Sequence, residues 1–111
     1  MSTTPYNFGD ILLLKAFPYS NLDGVKKRPA VLLADTGDQD IILAQITSQP
    51  SRDSHDLALD HWKNAGLLLP SCIRLSKIAT LNKKLVLKKL GILGSPERRK
   101  VRTLLKNIFK L

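Results

Sequence analysis

The chain contains one cysteine, Cys72, so no internal disulfide can staple it. That thiol and two histidines, His55 and His61, form no cluster with metal-ligand spacing, and neither a metal nor a cofactor is expected. A lone cysteine of this kind reads as a small buried hydrophobe. No apolar run approaches membrane-spanning length, which argues against a membrane partner. The opening MSTTPYNFGD lacks the basic and apolar regions of a secretory signal, so a cytoplasmic protein is expected. Aromatics are scarce, with one Trp, two Tyr and three Phe. Any recognition of nucleobases must therefore rest largely on polar and backbone groups. There are no internal repeats, low-complexity segments or domain linkers.

The chain has a surplus of positive charge. Over 111 residues, 18 Lys and Arg face 9 Asp and Glu, for a net charge of +9. Such an excess points to a polyanionic partner: nucleic acid, an anionic membrane or an acidic protein. It is unevenly spread. Residues 1–82 balance eight bases with eight acids, whereas residues 83–111 hold ten bases and a single acid, Glu97. The length fits one domain spanning residues 1–111, and 43% apolar residues suffice for a core. So small a domain gains from oligomerisation.

Residues 9–17, GDILLLKAF, form a short apolar run consistent with a strand buried on both faces. Residues 18–27 are dense in turn formers and longer than a hairpin needs. RPAVLLA (28–34) reads as a second strand, with Pro29 suited to its start because it lacks an N–H. After the polar turn DTGDQD, IILAQITS (41–48) gives a third strand, and the three suggest an antiparallel meander. A loop (49–56) and a short strand with an irregular connection (57–71) follow. CIRLSKIATL (72–81) reads as a half-buried strand with Ile73, Leu75 and Ile78 on one face and Arg74 and Ser76 on the other. Residues 83–91 fit a strand or one helical turn.

The C-terminal segment predicts a helix with Ser95 as N-cap, Pro96 in the first turn and Glu97 complementing the helix dipole. Val101, Leu104, Leu105, Ile108 and Phe109 would line its apolar face. Arg98, Arg102, Lys106 and Lys110 form a cationic stripe at four-residue spacing, which fits either a solvated face or a polyanion contact. The sum is an α+β domain on a small, strongly curved sheet or barrel.

In order and spacing, GDILLLKAFPYSNLDGVKKRPAVLLA, DIILAQITSQ, AGLLLPSCIRLSKIATL and LKKLGIL resemble the PemK/MazF-like toxins of prokaryotic type II toxin–antitoxin systems. The resemblance runs over roughly residues 8–110. It implies an SH3-like barrel of antiparallel strands with a C-terminal helix, acting as a homodimer. It also implies a metal-independent endoribonuclease (an mRNA interferase) that cuts single-stranded RNA at short sequences. Its partner would be a cognate antitoxin whose acidic segment covers the RNA groove.

Metal-free RNA cleavage turns the substrate's 2′-hydroxyl on the adjacent phosphate, and the enzyme must stabilise the charge of the phosphorane. The resemblance assigns the catalytic arginine to Arg28 in KKRP, where a planar, permanently charged guanidinium can grip two phosphate oxygens. It assigns a hydroxyl donor to Thr47 in QITSQ, with Ser48 in support. Arg74 matches an arginine of some members, and Ser76 stands where some carry an aspartate proposed as general base. A serine cannot serve unaided as a base at neutral pH, so Ser76 leaves the proton acceptor unassigned. Lys26 and Lys27 fit RNA backbone contacts, and Tyr19 fits stacking on a base, whereas Phe17 fits the core. Asp23 reads equally as a loop-ordering group or a solvated turn residue. His55 and His61 read as surface residues, and Trp62 as a packing anchor. Two rival readings remain: a catalytically weak RNA-binding module of the same fold, and a gyrase poison of the related barrel toxins.

Overall fold

In the computed structural model, residues 4–18 and 27–111 are described. Among them run β1 (Asp10–Leu14), β2 (Arg28–Asp35), β3 (Asp40–Thr47), β4 (Asp56–Ala58), β5 (Cys72–Asn82), a 3-10 turn (Lys83–Leu85), β6 (Val86–Ile92) and α1 (Ser95–Phe109). The strands form one antiparallel sheet in the order β4-β5-β3-β2-β1-β6. The expected meander is thus its centre, and residues 83–91 prove to be a helical turn followed by a strand.

Continuous apolar runs are needed here because the sheet buries both faces. Ile11, Val31, Ala44, Ile46, Ile73 and Leu75 face one cluster, against which α1 lays Val101, Leu104, Leu105 and Ile108. Leu12, Leu14, Ala30, Leu32, Ile41, Leu43 and Phe17 face the other. Adjacent side chains of a strand point to opposite faces, so each run supplies both clusters.

Curvature comes from irregular pairing. Gln45 pairs with Arg74 but the next residue, Ala44, pairs with Ile78, leaving Leu75–Lys77 as a bulge. Bulges bend a strand and increase its twist. This one also keeps Ile78 on the face of Ile73 and Leu75, as expected, despite the uneven spacing. Its consequence for Arg74 and Ser76 was not expected: Arg74 is buried and Ser76 is exposed.

The sheet curls into a barrel-like α+β fold that stays open between β4 and β6. The connection 59–71 spans that opening. Gly66, at φ +86°, lies against the backbone of β6, where an added Cβ would collide with the Leu90 carbonyl. Gly91 meets the Ala65 carbonyl in the same way. Only two residues without side chains permit this backbone-to-backbone approach.

In α1, Gly94 rather than Ser95 is the N-cap, and it caps without a side chain. Ser95 instead begins the helix, its Oγ accepting from Arg98 Nη2 at 3.0 Å. Arg98 also donates to the Leu93 carbonyl, and the Arg102 guanidinium sits 4.7 Å from the centre of the Phe8 ring. Half of the cationic stripe is therefore engaged within the chain. Phe109, expected on the apolar face, is mostly exposed. No helix among the described residues is long and apolar enough to cross a membrane.

Candidate active site

Antiparallel order brings distant residues to one end of the sheet. Arg28 opens β2, Thr47 closes β3 and Arg74 lies near the start of β5, so all three share that end. They line a groove of about 990 Å³ together with Ser48, Gln49 and Lys27. Lys88 and Lys89 of β6 and the apolar stretch Leu67–Leu69 complete its walls.

The groove is cationic. Among the described residues five bases line it: Lys27, Arg28, Arg74, Lys88 and Lys89. No carboxylate or imidazole lies among its described lining residues. Two of the cations are compensated from outside. Lys89 Nζ lies 3.1 Å from Asp10 Oδ1, and Arg74 pairs with Asp56. Arg28 has no ion-pair partner among the described residues, and its Nε, like that of Arg74, is buried without a hydrogen-bond acceptor among them. A buried guanidinium donor without a partner is costly unless a ligand completes it.

Thr47 is oriented by its own turn. Its Oγ1 accepts from the backbone N–H of Gln49 at 3.2 Å, which leaves the hydroxyl proton free to donate. Ser48 is exposed beside it. Arg74 is held more tightly. Its Nη2 donates to Gln49 Oε1 at 3.4 Å, and its Nε lies 3.5 Å from Asp56 Oδ2. The Asp56 carboxylate, wholly enclosed, also accepts from the Arg52 backbone N–H at 2.9 Å.

Of the residues singled out in the sequence, Arg28, Thr47, Ser48, Arg74 and Lys27 meet in the groove. Ser76 does not, because the β5 bulge separates it from Arg74 and turns it to solvent. Tyr19, Asp23 and Lys26 lie outside the described residues. His55 and His61 are exposed and line no part of the groove, and Trp62 packs on the core. Cys72 is buried, and burial first, then the Asp56 carboxylate, pushes its thiol pKa up. Among the described residues no three His, Cys, Asp or Glu side chains gather to hold a metal.

Asp56, Gln49, Lys88 and Lys89 were not assigned to the site from sequence. The lysines were visible only as part of a basic C-terminal quarter. Asp56 carries no pattern that marks it, since β4 is three residues long.

Solved structures share this fold at low identity. A mycobacterial endoribonuclease in complex with its cognate antitoxin superposes with a TM-score of 0.77, at 15% identity, covering 96% of this chain and 97% of the other. The Mycobacterium tuberculosis toxin MazF-mt6 gives 0.74 at 20% identity, covering 92% and 97%. A second mycobacterial endoribonuclease gives 0.71 at 16%, covering 93% and 89%. No curated protein matches the sequence significantly. The family model of PemK-like, MazF-like toxins of type II toxin–antitoxin systems matches residues 7–109, nearly the whole chain, and the chain belongs to that family.

Proposed function

We propose that this toxin is a metal-independent endoribonuclease that cuts single-stranded RNA at a short sequence. The observation that carries this reading is the convergence of Arg28, Thr47 and Arg74 in one cationic groove, with the Arg28 Nε lacking a hydrogen-bond partner among the described residues. A phosphodiester in the groove meets guanidinium groups on two sides. Arg28 and Arg74 take the charge of the phosphorane, and the Thr47 hydroxyl donates to a non-bridging oxygen, with Ser48 beside it. The substrate 2′-oxygen bonds to phosphorus and releases its proton to solvent. The P–O5′ bond breaks and the 5′-oxygen takes a proton from solvent. The products are a 2′,3′-cyclic phosphate and a 5′-hydroxyl. With no carboxylate or imidazole among the described lining residues, catalysis rests on charge stabilisation and positioning.

Lys27, Lys88 and Lys89 hold the flanking backbone. The same cationic lining suits the acidic segment of an antitoxin, which would exclude RNA by occupying the groove. The working form is a cytoplasmic homodimer. The test is digestion of a long RNA in EDTA, with end-group analysis of the fragments. Cyclic-phosphate ends at recurrent sites are expected. RNA that is bound but intact would replace this reading with the non-cleaving module, and inhibition of DNA supercoiling with intact RNA would favour the gyrase poison.

A further inference from the structure

Asp56 is wholly enclosed, so it cannot touch a substrate, yet it pairs across the sheet with Arg74 at the groove. Its Oδ2 is shared between the Arg52 N–H, the Arg52 Nε at 3.7 Å and the Arg74 Nε at 3.5 Å, while its Oδ1 is buried with no hydrogen-bond partner among the described residues. Burying a carboxylate with one oxygen unsatisfied is a poor way to stabilise a fold, since an apolar residue at such a place is commonly as good or better. Nor does β4 require it, because Asp56, Leu57 and Ala58 already align with Arg74, Ile73 and Cys72 in backbone register. What the carboxylate does supply is a fixed direction for one guanidinium. It engages Arg74 from the β4 side, while Gln49 holds the Nη2 corner. The Arg74 Nε has this carboxylate at 3.5 Å as an ion-pair partner without a hydrogen bond, whereas the Arg28 Nε has neither among the described residues.

We infer that Asp56 is a positioning residue for Arg74, with Gln49 as a second support, and that the pair sets the orientation in which Arg74 meets a phosphate. This rests on the nuclease reading for its consequence in turnover, though not for the geometry itself. The effect on rate follows from alignment: a displacement of about 1 Å at a reacting centre can cost on the order of 100-fold.

The experiment compares wild type, Asp56→Asn, Arg74→Ala and the double variant on a short fluorogenic RNA that spans a mapped cut site. Asp56→Asn is expected to lower kcat about 10–100-fold with KM within about threefold. Asp56→Glu, which keeps the charge, should recover part of that loss. In the Arg74→Ala background, Asp56→Asn should have no further effect, because nothing is left to position. A wild-type kcat for Asp56→Asn, or a loss that multiplies that of Arg74→Ala, overturns the inference. Should Asp56→Asn fail to fold, Gln49→Ala takes its place. A fall in kcat confined to the Arg74-containing background supports the inference, and an unchanged kcat or an equal fall in both backgrounds overturns it. If wild type leaves RNA intact, the nuclease reading fails, and the Arg74 Nε–Hε resonance decides the positioning role instead. That signal should carry a shift set by the nearby carboxylate charge in wild type and move in Asp56→Asn. An identical resonance in the two proteins would reject it.

Discussion

Replacing Arg28 with alanine separates chemistry from folding. Its Nε is buried without an acceptor among the described residues, so the side chain has donor capacity that those residues do not use. If that capacity serves a phosphorane, its loss should cost what the loss of one preorganised donor costs elsewhere, about 2.7–4 kcal/mol or 10²–10³ in kcat. Binding should suffer less. Arg28 is one of five cations along the groove, and removing it should shallow the dependence of log affinity on log salt by about 0.7. Stability should hardly move. An unsatisfied buried donor costs about 1–3 kcal/mol, and its removal offsets the packing lost with the alkyl stem. The assay is single-turnover cleavage across a salt series, run beside thermal unfolding. Turnover within threefold of wild type would refute the assignment. So would a fall in Tm of more than about 10 °C, which would make Arg28 a structural residue whose loss of activity is indirect.

Thr47→Val, which keeps the shape but removes the hydroxyl, should lower kcat about 10–100-fold, the worth of a hydrogen bond to a charged group. Thr47→Ser should stay within about tenfold of wild type, and equal losses in the two variants would remove the hydroxyl from the mechanism. Gly66→Ala should destabilise the protein by about 2–4 kcal/mol in urea unfolding, because it combines positive φ with a collision at the Leu90 carbonyl. Gly37→Ala, at a similar φ but in open space, should cost only about 1 kcal/mol, and similar values for both would mean the contact with β6 is not needed. The Asp35 carboxyl is held below its ordinary value by the N–H groups of Gly37 and then Tyr6, aided by Lys83. Its folded pKa is therefore below its unfolded one, and its contribution is complete above about pH 4 and lost as pH falls through the folded value. Asp35→Asn should flatten the acid limb of a stability–pH curve below about pH 4, and an unaltered limb would contradict that.

The central strands were legible because each is a run of apolar residues bounded by turn formers, and the sheet buries both of their faces. Arg28 and Thr47 were legible as ends of such runs, though only the family resemblance gave them a chemical role. Ser76 was misplaced for a definite reason. Alternation along CIRLSKIATL puts it on the same face as Arg74, and a three-residue bulge cannot be seen in a pattern of period two. The helix start was displaced by one residue because Gly94, with no side chain to cap, took the position expected for Ser95. The cationic stripe looked uniform, yet Arg98 turns back onto Leu93 and Ser95, and Arg102 onto Phe8, a partner that only folding brings near. The tie between Asp56 and Arg74 was invisible because it depends on the pairing of a three-residue strand.

The clasp between Gly66 and Gly91 has an evolutionary corollary. It brings the chain that leads into Leu67–Leu69 against β6 by main-chain contact, while Arg28, Thr47 and Arg74 are carried by the hydrogen-bonded ladder of β2, β3 and β5. Leu68 and Leu69 are exposed, so they can be exchanged for other side chains with little strain on the residues of that ladder. On the proposed nuclease reading, such a toxin could drift in which sequences it prefers while keeping the means of cutting them.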